Sequence, residues 1–173
     1  MKYFKDESAN VYAFELDGSQ DHLIKPGMTE IDESEIQSVI DSKLTIDDRL
    51  TNKQSEIVQK FKQAMSPVTS LYTAEEIASF PTQEPEALAW DADNTAPTPL
   101  IDGILAERSS VDKPTLVQRI INNAATYKSV AGPAIGKKQD YEDLLYALKT
   151  QHEDPEQDDI TKADIDAVVV DFS

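Results

Sequence analysis

Cysteine is absent from this chain of 173 residues, which excludes disulfide frameworks, thiolate nucleophiles and cysteine metal sites together. The absence suits a reducing compartment without establishing one. Basic residues are scarce, with 16 Lys and Arg against 33 Asp and Glu and a formal charge of -17. Nucleic acid and anionic membranes carry the same sign, so neither is expected as a partner through a broad basic surface; a basic partner surface or plain solubility fits better. The only two histidines, His22 and His152, have no second His or Cys at metal-ligand spacing. No run approaches the roughly 18 apolar residues of a membrane helix. The opening Met1-Lys2-Tyr3-Phe4-Lys5-Asp6 turns polar at once, so no signal peptide is expected.

What is present is a modest apolar fraction, 39%, enough for the core of one domain or two small ones. Helical order is concentrated in residues 81–150, where four helix-sized blocks are separated by Pro or Gly. Thr82, Thr98 and Asp112 are placed to cap following helices, and Pro99 and Pro114 fall at or near first helical positions. Leu116, Val117, Ile120, Ile121 and Ala124 share one helical face, and Tyr141, Leu144, Leu145 and Leu148 share another. The breaker Ala131-Gly132-Pro133 between them predicts an antiparallel helical hairpin. The expected core stripe comprises Trp90, Leu116, Ile120, Ile121, Leu144, Leu145 and Leu148.

At the N-terminus, β-branched and aromatic residues at 2–5 and 11–16 flank the turn-prone Asp6-Glu7-Ser8-Ala9-Asn10 and predict a hairpin. Tyr12, Phe14 and Leu16 share a face, joined by Tyr3 or Phe4. His22-Leu23-Ile24-Lys25 is expected to add a third strand. A sheet this small needs something to pack on. Ile36, Val39 and Ile40 then predict a short helix, and a capping-box pattern at Thr51 and Gln54 a longer one, with Ile57, Val58, Phe61 and Met65 at helical spacing. Thr73 with Glu76 predicts another, ending before Pro81. Beyond Thr150, the acids Glu153, Asp154, Glu156, Asp158 and Asp159 read as solvated linker, and the β-prone Ala167-Val168-Val169-Val170-Asp171-Phe172 offers a terminal strand as the alternative to disorder. The fold class is therefore α+β, with a small N-terminal antiparallel β-sheet followed by a predominantly α-helical C-terminal domain. Its segments are a sheet module at 1–31, a helical connector at 32–78, a helical domain at 79–150 and an acidic tail at 151–173.

No pattern supplies chemistry. Gly132-Pro133-Ala134-Ile135-Gly136-Lys137-Lys138 has three residues between its glycines where a phosphate-binding loop needs four, and Lys138 stands where that loop has a hydroxyl. Asp91, Asp93, Thr95 and Asp102 imitate calcium-loop ligands, but Ala96 replaces the required Gly and Pro97 and Pro99 obstruct the path. Acid pairs such as Asp47-Asp48 and Glu75-Glu76 point in different directions on a helix. No serine sits in a nucleophile-elbow context. A non-enzyme is expected, with no catalytic residue, no metal site and no cofactor.

Tyr3-Phe4-Lys5-Asp6, Asn10-Val11-Tyr12-Ala13-Phe14, Asp17-Gly18-Ser19-Gln20 and Ile24-Lys25-Pro26-Gly27-Met28-Thr29-Glu30-Ile31 resemble the opening of the tail fibre assembly proteins. These are chaperones encoded beside tail fibre genes of tailed bacteriophages, prophages and phage-tail-like bacteriocins. Phe80-Pro81-Thr82-Gln83-Glu84, Ala89-Trp90, residues 96–102, Val117 and Gly136-Lys137-Lys138-Gln139 are similar to segments of their C-terminal module. The match covers about half the chain and leaves residues 34–72 and the acidic tail without specific likeness. The resemblance implies a cytoplasmic chaperone that binds the distal part of a fibre polypeptide, a homotrimer when mature, and assists its folding and trimerisation. The hairpin aromatics Tyr3, Phe4, Tyr12 and Phe14 are the expected contacts. The alternatives are a component retained at the fibre tip as an adhesin, or an acidic inhibitor or nucleic-acid mimic.

Overall fold

The computed structural model describes residues 1–157 and 159–173. The architecture is α+β, a three-stranded antiparallel sheet followed by a mostly helical chain. Contacts group the residues into two compact units, Met1–Lys53 with Gln151–Ala167, and Gln54–Thr150 with Val168–Ser173. The breaks expected after residues 31, 78 and 150 follow element type, whereas this division follows contact.

In the first unit, β1 (Lys2–Lys5) and β2 (Val11–Phe14) form the hairpin, and β3 (Thr29–Ile31) pairs with the other side of β1. Phe4 lies opposite Tyr12 and Lys2 opposite Phe14, so these three rings share a face, while Tyr3 sits with Ala13 and Ile31 on the other. Leu16 lies beyond β2 and is 73% exposed, so it does not extend the aromatic face. The strand expected at residues 22–25 does not form. Asp21–Leu23 is a 3-10 turn, whose local bonds from Leu23 N–H to Gln20 O (2.9 Å) and Ile24 N–H to Asp21 O (3.1 Å) take the donors a ladder would use. Pro26 and Gly27 then turn the chain, with Gly27 at φ 93 and Met28 N–H bonded to Lys25 O at 3.2 Å, and the third strand follows that turn.

α1 (Ile36–Lys43) packs beside β2 and buries Val39, leaving Ile40 43% exposed. α2 (Ile46–Thr69) begins earlier than expected. Thr45 and Asp48 make the reciprocal cap, the Asp48 carboxylate accepting from Thr45 N–H at 2.9 Å and Asp48 N–H donating to Thr45 Oγ1 at 3.1 Å. Thr51 is consequently interior to the helix rather than at its start. The acidic segment after Thr150 is folded in its described residues, contrary to the linker expectation; Asp158 lies outside them. α6 (Lys162–Asp166) buries Ile165 completely. Arg49 Nη1 holds both Asp166 oxygens, the first at 2.6 Å, and Lys162 Nζ reaches Ser42 O at 3.0 Å.

In the second unit the helices override local breakers. α3 (Ala74–Ala92) starts at the Thr73–Glu76 capping box as expected, but continues through Pro81 and Pro85, so Thr82 is interior rather than a cap. α4 (Pro99–Ala106) begins after Thr98 with Pro99 in its first turn. Its free N–H groups are met from α3: Glu86 accepts from Leu100 N–H at 3.1 Å and Ile101 N–H at 3.0 Å, a carboxylate at the positive end of a helix dipole. α5 (Lys113–Glu153) is one helix of 41 residues, opened by Asp112, whose Oδ1 accepts from Thr115 N–H at 2.9 Å.

The hairpin expected at Ala131-Gly132-Pro133 is therefore absent. Along α5, Val117, Ile120, Ala124, Tyr127, Ala131, Ala134, Lys138, Tyr141, Leu145 and Leu148 are all buried or half-buried at alternating spacings of three and four, the repeat of a packed helical seam. Leu144 falls outside it and is 48% exposed, correcting that member of the expected stripe. On α2, Gln54, Ile57, Phe61, Ala64 and Val68 follow the same spacing. The two helices run antiparallel: Gln54 Nε2 donates to Glu142 (3.1 Å), Lys138 lies 5.9 Å from the Phe61 ring, and Met65 clusters with Ala131 and Ala134. Burial along this seam outweighs the hydrogen bond Pro133 removes. A second cluster joins Ala87, Ile101, Leu116, Val117 and Ile120, with Trp90 and Ile121 packed against it.

The C-terminal run adds no strand. Phe172 sits between Phe61 and Tyr141 at centroid distances of 6.1 and 5.7 Å. The Tyr141 hydroxyl accepts from Asp171 N–H at 2.9 Å and donates to Asp171 O at 3.0 Å, and Lys60 reaches Val170 O at 2.8 Å.

Candidate functional site

Three of the four aromatics expected to meet a partner share a face, but they are unequally available. Phe14 is 6% exposed and packs edge-on against Phe4 at 5.7 Å. Phe4 and Tyr3 are half-buried. Tyr12 is 38% exposed, stacked on Phe14, and its hydroxyl donates to Asp6 Oδ2 at 3.0 Å. Asp6 also accepts from Asn10 Nδ2 and from the backbone N–H groups of Asn10 and Ser8. These bonds, those of Asn10 foremost, lower its pKa to about 2, and the same carboxylate raises that of Tyr12. The ring is held as part of the turn.

A concave feature lies in the second unit. Between α3, α4 and α5 is a groove of about 980 Å³ whose floor is Phe80, Leu100, Ile104, Leu116, Ile120 and Tyr127. Phe80 meets Tyr72 edge-on at 5.1 Å and Tyr127 at 6.2 Å. Its walls differ in sign. α3 contributes Glu75, Glu76 and Glu84, while Arg108 after α4 and Arg119 and Lys128 on α5 stand on the other side. Lys128 and Glu84 join across it at 2.5 Å. Asn123 Nδ2 donates to the Tyr72 hydroxyl at 3.1 Å. Both arginines are exposed, and among the described residues neither guanidinium makes a hydrogen bond or ion pair; Arg119 acts on Asp112 only through space.

The carboxylates and lysines that imitated ligand sites are engaged separately. Asp91 accepts from Gln118 Nε2 at 2.6 Å, Asp93 from Thr95 N–H and Oγ1 at 2.9 and 2.7 Å, and Asp102 from Lys113 at 2.7 Å. These bonds lower the pKa of Asp93 and Asp102. Among the described residues no three His, Cys, Asp or Glu are grouped to hold a metal. Gly132 and Gly136 are helical, Lys138 pairs with Glu142 at 2.6 Å, and Lys137 donates to Ser173 O. His22 is exposed, and His152 lies 3.9 Å from Asp47. No described helix is long and apolar enough to cross a membrane.

Local rules make Pro81 a helix end, which hides the groove that α3 lines on both sides of it. Its signal was available in Ile77, Phe80, Glu84 and Ala87, which keep helical spacing straight through the prolines. Comparison of the chain with family models, curated proteins and solved structures finds no match.

Proposed function

We propose that this protein is a polypeptide-binding chaperone that acts on a tail fibre protein in the cytoplasm of a bacterial host, engaging the newly made fibre chain and raising the yield of its trimer. The groove of the second unit carries the binding half of this reading. It combines an apolar floor of aromatic and aliphatic side chains with charged walls, the composition that anchors and orients a protein partner. The fibre as client rests on the resemblance of the segments at 3–6, 10–14, 17–20, 24–31 and 80–84 to the fibre assembly proteins. The surrounding negative charge would speed encounter with a basic fibre surface, and the apolar floor would set the lifetime of the complex. Neither catalysis nor a cofactor enters the reading.

The test is co-expression of a neighbouring fibre gene with and without this protein, scored as soluble trimer on a sizing column. A yield raised several-fold by the protein is expected. Equal yields contradict the proposal.

A further inference from the structure

We infer that the groove between α3, α4 and α5 receives an amphipathic α-helix of the partner, about three turns long, with one basic and one acidic flank beside its apolar stripe. This deepens the chaperone reading and rests on it only in taking the partner to be a polypeptide.

The walls specify the flanks. On the α3 side the charged lining groups are all carboxylates, while Gln83 Nε2 donates to Ser79 Oγ at 2.6 Å. The carbonyls of Ile77 and Pro81 also lack the donor four residues on, because Pro81 and Pro85 have no N–H. On the opposite side Arg108 and Arg119 offer guanidinium donors that bind nothing among the described residues. In a protein of charge -17, two unengaged arginines beside an apolar floor are complementary to carboxylates on a ligand. The occupant is helical for a backbone reason. These walls are helices and present no sheet edge, so an extended segment would bury its own N–H and C=O groups unmatched, whereas a helix satisfies them internally. From Leu116 to Tyr127 the floor runs roughly 16 Å, the length of about 11 helical residues. A second copy of this chain would meet the groove with the same strong negative charge.

Three labelled peptides of about 14 residues with one leucine stripe supply the probe, read by fluorescence anisotropy at physiological salt. The first has Lys on one flank and Glu on the other, the second the same composition with both charges interspersed on both flanks, and the third Lys on both. The wild-type protein should bind the segregated peptide at least ten times more tightly than the interspersed one. R108E/R119E, its fold checked by circular dichroism, should lose that preference and favour the peptide with two Lys flanks. Equal affinity for the first two peptides in wild type, no binding of any peptide, or an unchanged ranking in R108E/R119E overturns the inference. So does a wild-type dimer, by sedimentation, that R108E/R119E converts to monomer. In fibre co-expression, R108E/R119E rescuing trimer as well as wild type overturns the groove and leaves the chaperone standing. A wild-type protein that binds the segregated peptide but does not raise trimer yield leaves the groove standing and removes the chaperone.

Discussion

The first unit is stitched from strands of three or four residues whose turns are set by side chains bonded to nearby backbone. The second rests on helices long enough to carry a packed seam past proline and glycine. In the hairpin, Asp6 alone receives four hydrogen bonds within six residues, so the turn is specified where it stands. In α5 the geometry at Gly132 and Pro133 is specified by Phe61, Met65, Ala131 and Ala134, which join positions far apart in the chain. Local bonds make small, independently adjustable pieces, and a long seam makes a rigid wall. A groove needs fixed walls of the latter kind, and the one lined by Phe80, Leu116 and Tyr127 lies among α3, α4 and α5.

That contrast can be broken by substitution. In the second unit, Leu145→Ala removes a side chain 5% exposed on the seam, and Leu144→Ala one 48% exposed beside it. The first should cost about 2 to 5 kcal/mol and the second under about 0.5 kcal/mol in urea unfolding; similar losses would place the seam elsewhere. Next in size is the cap between helices. Glu86→Ala leaves the Leu100 and Ile101 N–H groups without their acceptor and should cost about 1 to 3 kcal/mol. A loss indistinguishable from that of Glu75→Ala would mean that solvent replaces it.

Gly132→Ala and Gly136→Ala sharpen the comparison from the other direction. An added Cβ at either site meets nothing within 4 Å, so each should stabilise by about 0.5 to 1 kcal/mol if α5 is continuous. Destabilisation at Gly132 would restore the turn. The smallest effect belongs to the hairpin. Asp6 has a folded pKa near 2, below its ordinary value of 3.8, so its contribution is complete above about pH 4 and fades as pH falls through 2. In Asp6→Asn, acid unfolding should lose that portion of its pH dependence, while the exchange rates of seam amides stay unchanged.

What was legible in the sequence follows the same division. The hairpin, the Thr73–Glu76 box and the Asp112 cap could be read because each is decided within a few residues. The third strand was displaced because Gln20 and Asp21 capture the donors of residues 23 and 24, a competition among neighbours that strand propensity ignores. The helix starting at Thr45 was read six residues late because Thr51 and Gln54 imitate the same box. Pro81, Pro85 and Pro133 were read as ends because their cost is local while the compensating burial is contributed by distant residues. Glu86 carried no signal at all, since its acceptors' partners lie 14 and 15 positions onward. The four hairpin aromatics, expected as partner contacts, differ in exposure, with Phe14 6% and Tyr12 38% exposed, a difference that alternation along the strands does not show.

The central claim is that a partner meets the helical groove rather than the aromatic hairpin. Amide hydrogen exchange on the protein, alone and with a co-expressed candidate fibre protein, compares the two regions in a single measurement. The account predicts slowed exchange on complex formation across residues 77–84 and 119–128, with residues 2–14 unchanged. Protection gained across residues 2–14 while the groove helices exchange as before would contradict it.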